Sequence, residues 1–73
     1  MQKYADINGD SGVYGFEIQT SAITVWFKGT QRPYTYSYQS AGQSNVEEMK
    51  RLALSGNGLN AFINRNVKFD YVR

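Results

Sequence analysis

Tyr34, Tyr36 and Tyr38 alternate along one run after Pro33, and an extended strand directs all three rings to a single face. Ring faces of this kind either pack into a core or stack on unpaired bases, at roughly 1–3 kcal/mol per base. Trp26 and Lys28 lie one strand earlier, with Arg32 in the intervening turn. A tryptophan beside hydroxyls and a lysine suits stacking and phosphate contact, or the docking of a partner protein. A second pattern, Asp6-x-Asn8-x-Asp10 with Glu17 at the twelfth position, imitates a calcium loop. The glycine required at its sixth position is displaced, with Ser11 there and Gly12 one residue late. A polar turn is the better reading of this stretch, and no metal site is expected.

Catalytic chemistry is poorly served. The chain has no histidine and no cysteine, which removes the usual neutral-pH base, the commonest activated nucleophile and any disulfide or thiolate site. Glu47 and Glu48 are adjacent and diverge by about 100° on a helix, a poor geometry for paired acids. Gly56-Asn57-Gly58 lacks the spacing and the lysine of a phosphate loop. The expectation is a non-enzymatic chain without a cofactor.

These side chains must be positioned by a small scaffold. The 73 residues form one domain, for which folding removes only ~60% of the unfolded surface from water. Its core alone supplies about 3–5 kcal/mol. Apolar residues make up 41% and aromatics 15%, enough for a packed core rather than disorder. Alternation at Tyr14, Phe16 and Ile18, then Ile23, Val25 and Phe27, then Tyr34, Tyr36 and Tyr38 predicts a three-stranded antiparallel meander. Turns fall at Gln19-Thr20-Ser21 and Gly29–Pro33. Ser44-Asn45-Val46-Glu47 reads as a capping box opening a helix of about three turns, which the glycines of Ser55-Gly56-Asn57-Gly58 end. Leu59, Phe62 and Ile63 mark a second, shorter helix, and residues 67–72 read as an extended tail. The fold class is therefore α+β, a three-stranded meander with two short helices on one face. With the alternating apolar sets inward, Trp26 falls on the opposite face among Thr24, Lys28, Thr35, Ser37 and Gln39. That face stays open unless a partner or the tail residues Phe69 and Tyr71 cover it.

The net charge is +2 but unevenly spread: residues 1–48 balance to −2 and residues 49–73 to +4. A basic C-terminal third carrying Lys50, Arg51, Arg65, Lys68 and Arg73 attracts polyanions, or is an ordinary solvated surface. No apolar stretch is long enough to span a bilayer, and no signal-peptide core follows Met1–Asp6, so a cytoplasmic chain without a membrane role is expected.

Taken together, residues 12–71 resemble the KTSC domain, a family named for the C-terminal region of some lysyl-tRNA synthetases. The resemblance rests on Tyr34-Thr35-Tyr36, on Ile23–Gly29 before it, on Ser55-Gly56 leading to Leu59–Ile63, and on Tyr71. The chain departs from the family's pattern in the longer Thr30–Pro33 turn and in lacking a Val-Pro step within Ser37–Gly42. Members resemble free-standing bacterial or phage proteins as well as synthetase appendages, and the resemblance implies RNA binding. The expected function is a small RNA-binding module, monomeric or weakly dimeric, with Trp26, Lys28, Arg32, Tyr34, Tyr36, Arg65 and Lys68 as contact residues. The alternative is a protein-interaction module using an edge strand or the Trp26 face.

Overall fold

The computed structural model describes residues 1–9 and 11–73. Four strands, β1 (Gln2–Lys3), β2 (Val13–Gln19), β3 (Ala22–Phe27) and β4 (Tyr34–Ser37), form one antiparallel sheet in sequential order. Helices α1 (Tyr38–Ala41), α2 (Gln43–Ser55) and α3 (Leu59–Phe62) follow, the last running into a π-helical turn at Ile63–Val67. The α+β class and the meander agree with the sequence, and the two-residue turn Thr20-Ser21 joins β2 to β3. The strand and helix counts need correction.

The additional strand β1 pairs Gln2 with Phe16 and Lys3 with Gly15. Two exposed residues carry no periodicity, so the sequence gives no sign of it. The segment that follows it is anchored by burial instead. Tyr4 is 3% exposed and its hydroxyl accepts the Leu59 N–H at 3.3 Å, while the Ile7 N–H donates to the Gly56 carbonyl at 2.9 Å. Gly56 ends α2 in the left-handed region (φ 75°), and a Cβ there would fall 2.6 Å from that of Ala5. Glycine is required at this position for its conformation and for the close crossing of the N-terminal segment.

Tyr38 is not the end of a strand. Ser37 stops β4 as an N-cap: its hydroxyl accepts the Ser40 N–H at 3.0 Å, and the Ser40 hydroxyl accepts the Ser37 N–H at 3.0 Å. This Ser-x-x-Ser box replaces the one expected at Ser44 and Glu47. Helix α2 begins one residue before Ser44, with Gly42 (φ 96°) as its N-cap and no side-chain cap. Glu47 instead accepts the Tyr38 hydroxyl at 2.6 Å and pairs with Lys50 at 2.8 Å. Both partners, Lys50 first, hold its carboxyl below the usual range.

Val13, Phe16, Ile23, Val25 and Tyr36 from the sheet meet Val46, Met49 and Ala53 of α2, then Leu59, Ile63 and Val67. The i, i+3, i+7 stripe of α2 matches the expected face. In β2 the alternation is broken by a register shift between Val13 and Gly15, so Val13 and Phe16 both turn inward while Tyr14 is 46% exposed. Ile18 is 40% exposed beside the turn, opposite the buried Ile23. Tyr14 and Ile18 are thus corrected out of the expected core. The tail is not a strand either: residues 68–73 are irregular, touching the sheet through the Val72 N–H, which donates to the Thr35 carbonyl at 2.6 Å.

Candidate nucleic-acid interface

Strand register divides the aromatics between two surfaces. Tyr34 lies opposite Val25 and Tyr36 opposite Ile23, so both belong to the helix-packed face, whereas Trp26 lies opposite Gly15 on the other. That outer face is polar. The Thr24 and Thr35 hydroxyls lie 2.8 Å apart, and the Gln19 amide donates to Thr24 and to Glu17, each at 3.2 Å. Trp26 is half-buried and stands outside the core cluster.

On the helix-packed face the C-terminal segment folds against β4 and builds a groove. Tyr71 packs edge-to-face on Tyr34 (centroids 4.7 Å, 66°) and more distantly on Tyr36 (6.3 Å, 87°), and Tyr34 in turn meets Phe27 at 5.7 Å. Edge-to-face pairs of this kind add about 0.5–1.5 kcal/mol beyond their burial. Phe27, Tyr34, Tyr36, Ile63, Asn64, Lys68, Phe69 and Tyr71 line a cavity of about 190 Å³. Phe69 forms its outer lip and is 65% exposed. The Lys68 ammonium stands 5.4 Å from the Phe69 ring, and the Arg73 guanidinium 4.8 Å from the Tyr71 ring, where it also donates hydrogen bonds to the Phe69 carbonyl at 3.0 Å and to the Tyr71 hydroxyl at 3.5 Å. The expectation that Phe69 and Tyr71 could cover Trp26 is corrected: Tyr71 covers Tyr34 and Tyr36 instead.

The expected contact residues therefore do not form one surface. Tyr34 and Lys68 line the groove. Tyr36 lines it too but is only 1% exposed, which corrects its reading as an exposed stacking ring. Arg65 is exposed on the adjoining π-helical turn, and Arg32 is exposed in the β3–β4 turn. Lys28 is engaged elsewhere, its ammonium 2.9 Å from the Asp6 carboxylate, which it holds below the ordinary carboxylate range. Lys50 and Arg51 are also occupied, by Glu47 and Glu48. Arg65, Lys68 and Arg73 make no ion pair among the described residues, and they carry the accessible positive charge beside the groove. Phe69, Tyr71 and Asn64 are not among the expected contacts, although the interleaved string Lys68-Phe69-Asp70-Tyr71-Val72-Arg73 carries the signal for two of them.

Burial pushes the Tyr36 hydroxyl up to about 12, with Tyr34 and then Tyr71 adding to the shift. The ordinary value near 10 applies to the unfolded chain. Because the folded value is the higher, the stabilisation is complete below about pH 10 and disappears as the pH rises toward about 12. Urea denaturation of the wild type is expected to lose up to about 3 kcal/mol across that window. Tyr36→Phe should flatten that part of the profile, and an unchanged alkaline loss in the variant would assign the effect to other groups.

A second, polar cleft of about 280 Å³ lies between the N-terminal segment and the α2–α3 turn, lined by Tyr4, Asp6, Asn8, Ser11, Asn57 and Asn60 among others. Here Asp6 accepts the Ser11 N–H at 3.0 Å on one oxygen and pairs with Lys28 on the other, while Glu17 points away along β2 toward Gln19. Asp10 lies outside the described residues. Among those described, no three acidic side chains converge on a point that could hold a cation. The arrangement is that of a polar turn, closed by the Gly9 N–H donating to the Asp6 carbonyl at 2.9 Å.

No protein-family model, no curated protein and no solved structure matches this chain. No helix among the described residues is long and apolar enough to cross a membrane.

Proposed function

We propose that this chain is a small, non-enzymatic binding module for single-stranded RNA, and that the groove between β4 and the C-terminal segment is its contact surface. The observation that carries the reading is the exposed Phe69 ring at the lip of an aromatic groove, flanked by Lys68 and Arg73, with Arg65 exposed on the adjoining π-helical turn. Sequence-tolerant single-strand recognition needs this combination: π-faces for unpaired bases and cations free of ion pairs for the phosphates between them. An unpaired base stacks on Phe69 at the mouth, next to Tyr34 and Tyr71, while the three cations follow the backbone. Tyr36 supports the floor from within the core. The KTSC resemblance points the same way, and with it goes a cytoplasmic, bacterial or phage accessory protein that is monomeric or weakly dimeric.

The second reading, a protein-interaction module, is favoured by the outer sheet face, where Trp26 stands half-buried without helix cover. Salt separates the two. Three phosphate contacts on a single strand give a slope of about −2 in log affinity against log salt, a loss of roughly twenty-fold between ~50 and ~200 mM. Fluorescence anisotropy with a labelled, mixed-sequence single-stranded RNA reads this slope directly. Binding that ignores salt, or no binding at low salt, would contradict the RNA reading.

A further inference from the structure

We propose that Asn57–Gly58 is a self-modification site, at which the Asn57 side chain converts through a cyclic imide to aspartate and isoaspartate, while Asn8–Gly9 is spared in the folded chain. Asn8 and the Asn57–Gly58 pair line the polar cleft, both asparagines are exposed, and both glycines have positive φ (Gly9 73°, Gly58 86°). Neither exposure nor glycine conformation distinguishes them. Their hydrogen bonds do.

In the first step the Gly58 backbone nitrogen, having lost its proton to water or buffer, attacks Cγ of Asn57. The N–Cγ bond forms, the Cγ–Nδ2 bond breaks, and nitrogen leaves as ammonia after taking up a proton. Water then opens the ring. Cleavage at Cγ gives aspartate, and cleavage at the backbone carbonyl carbon gives isoaspartate, so the balance is one water in and one ammonia out. The attacking nitrogen must be free to lose its proton and to turn toward Cγ. The Gly58 N–H donates no hydrogen bond among the described residues, so no bond has to break before that nitrogen can turn toward Cγ. By contrast, the Gly9 N–H donates to the Asp6 carbonyl at 2.9 Å and must first give up that bond.

The electrophile is also prepared at one site only. Asn57 Oδ1 accepts the Asn8 Nδ2–H at 3.0 Å, which draws electron density away from Cγ of Asn57 and supports the negative charge that develops on its oxygen. Asn8 is the donor in this pair and gains no such activation. Conversion of Asn57 to either product places a new negative charge in the cleft that Asp6 already lines and lowers the net charge of the chain by one.

The test is incubation of the intact folded chain in mildly alkaline buffer, followed by peptide mapping by mass spectrometry, with the same chain in concentrated urea as the reference in which both sites react. The expected result is exchange of NH2 for OH at Asn57 several-fold faster than at Asn8, with both products present at position 57. Equal rates at the two sites in the folded chain, or a folded-state rate at Asn57 far below that in urea, would overturn the proposal. Asn8→Ala is expected to slow the reaction at Asn57, and an unchanged or faster rate would overturn the part assigned to the Asn8 amide.

Discussion

Tyr36→Ala is expected to leave the chain largely unfolded at room temperature. The ring is 1% exposed, lies opposite Ile23 in the sheet register and meets Tyr71 edge-to-face at 6.3 Å. Deleting a buried aromatic side chain costs about 3–5 kcal/mol, because the transfer energy of the ring and the cavity it leaves both count. A core of this size supplies about the same amount in total. The neighbours are poorly placed to collapse into the gap, since β3 and β4 are held in register by the sheet and Tyr71 is tied down beside the Val72 to Thr35 hydrogen bond. Far-ultraviolet circular dichroism with thermal melting reads the outcome. A cooperative melt within about 1 kcal/mol of wild type would return Tyr36 to the surface, since substitutions there stay near or below that size.

Phe69→Ala is expected to have the opposite profile. Its ring is 65% exposed, so truncation should move stability by no more than about 0.5 kcal/mol. Loss of one stacked base should weaken single-stranded RNA binding by roughly 1–3 kcal/mol, on the order of ten- to hundred-fold. Trp26→Ala, on the other face of the sheet, should leave RNA affinity unchanged. The pair decides between the surfaces. Loss of affinity on replacing Trp26 with no loss on replacing Phe69 would move the interface to the outer face.

Why the tyrosine run misleads is clear from its three environments. Alternation fixes the face that Tyr34 and Tyr36 share, and the structure keeps that face, but a two-fold period does not say whether water or a helix meets it. Tyr38 leaves the pattern because Ser37 offers its hydroxyl to the Ser40 N–H, and this local cap ends the strand. Strand β2 departs for a different reason: one extra residue between Val13 and Gly15 shifts the phase, so Tyr14 turns outward. Where apolar spacing alone decides, as at Val46, Met49 and Ala53, the sequence reads correctly. Pairings over long separations leave no local mark, which is why β1 and the Tyr4–Leu59 contact, 55 residues apart, could not be foreseen.

The site was legible in composition rather than in geometry. A basic C-terminal third and an aromatic excess are both visible in the chain, yet Lys28, Lys50 and Arg51 are held by Asp6, Glu47 and Glu48. Among the described residues, Lys68 and Arg73 stand over the Phe69 and Tyr71 rings without an ion pair, and Arg65 is exposed on the adjoining turn. Their grouping depends on the π-helical turn and on the Val72 contact that brings the tail back to β4, neither of which a local pattern encodes.

Two-dimensional amide spectra recorded while the chain is titrated with mixed single-stranded RNA at low salt locate the contact surface residue by residue. Binding in the groove is expected to confine the shifts to Tyr34, Asn64, Arg65 and residues 68–73, and to let them fade as salt is raised. Shifts centred on Thr24, Trp26 and Thr35, or a spectrum that does not change, would contradict it.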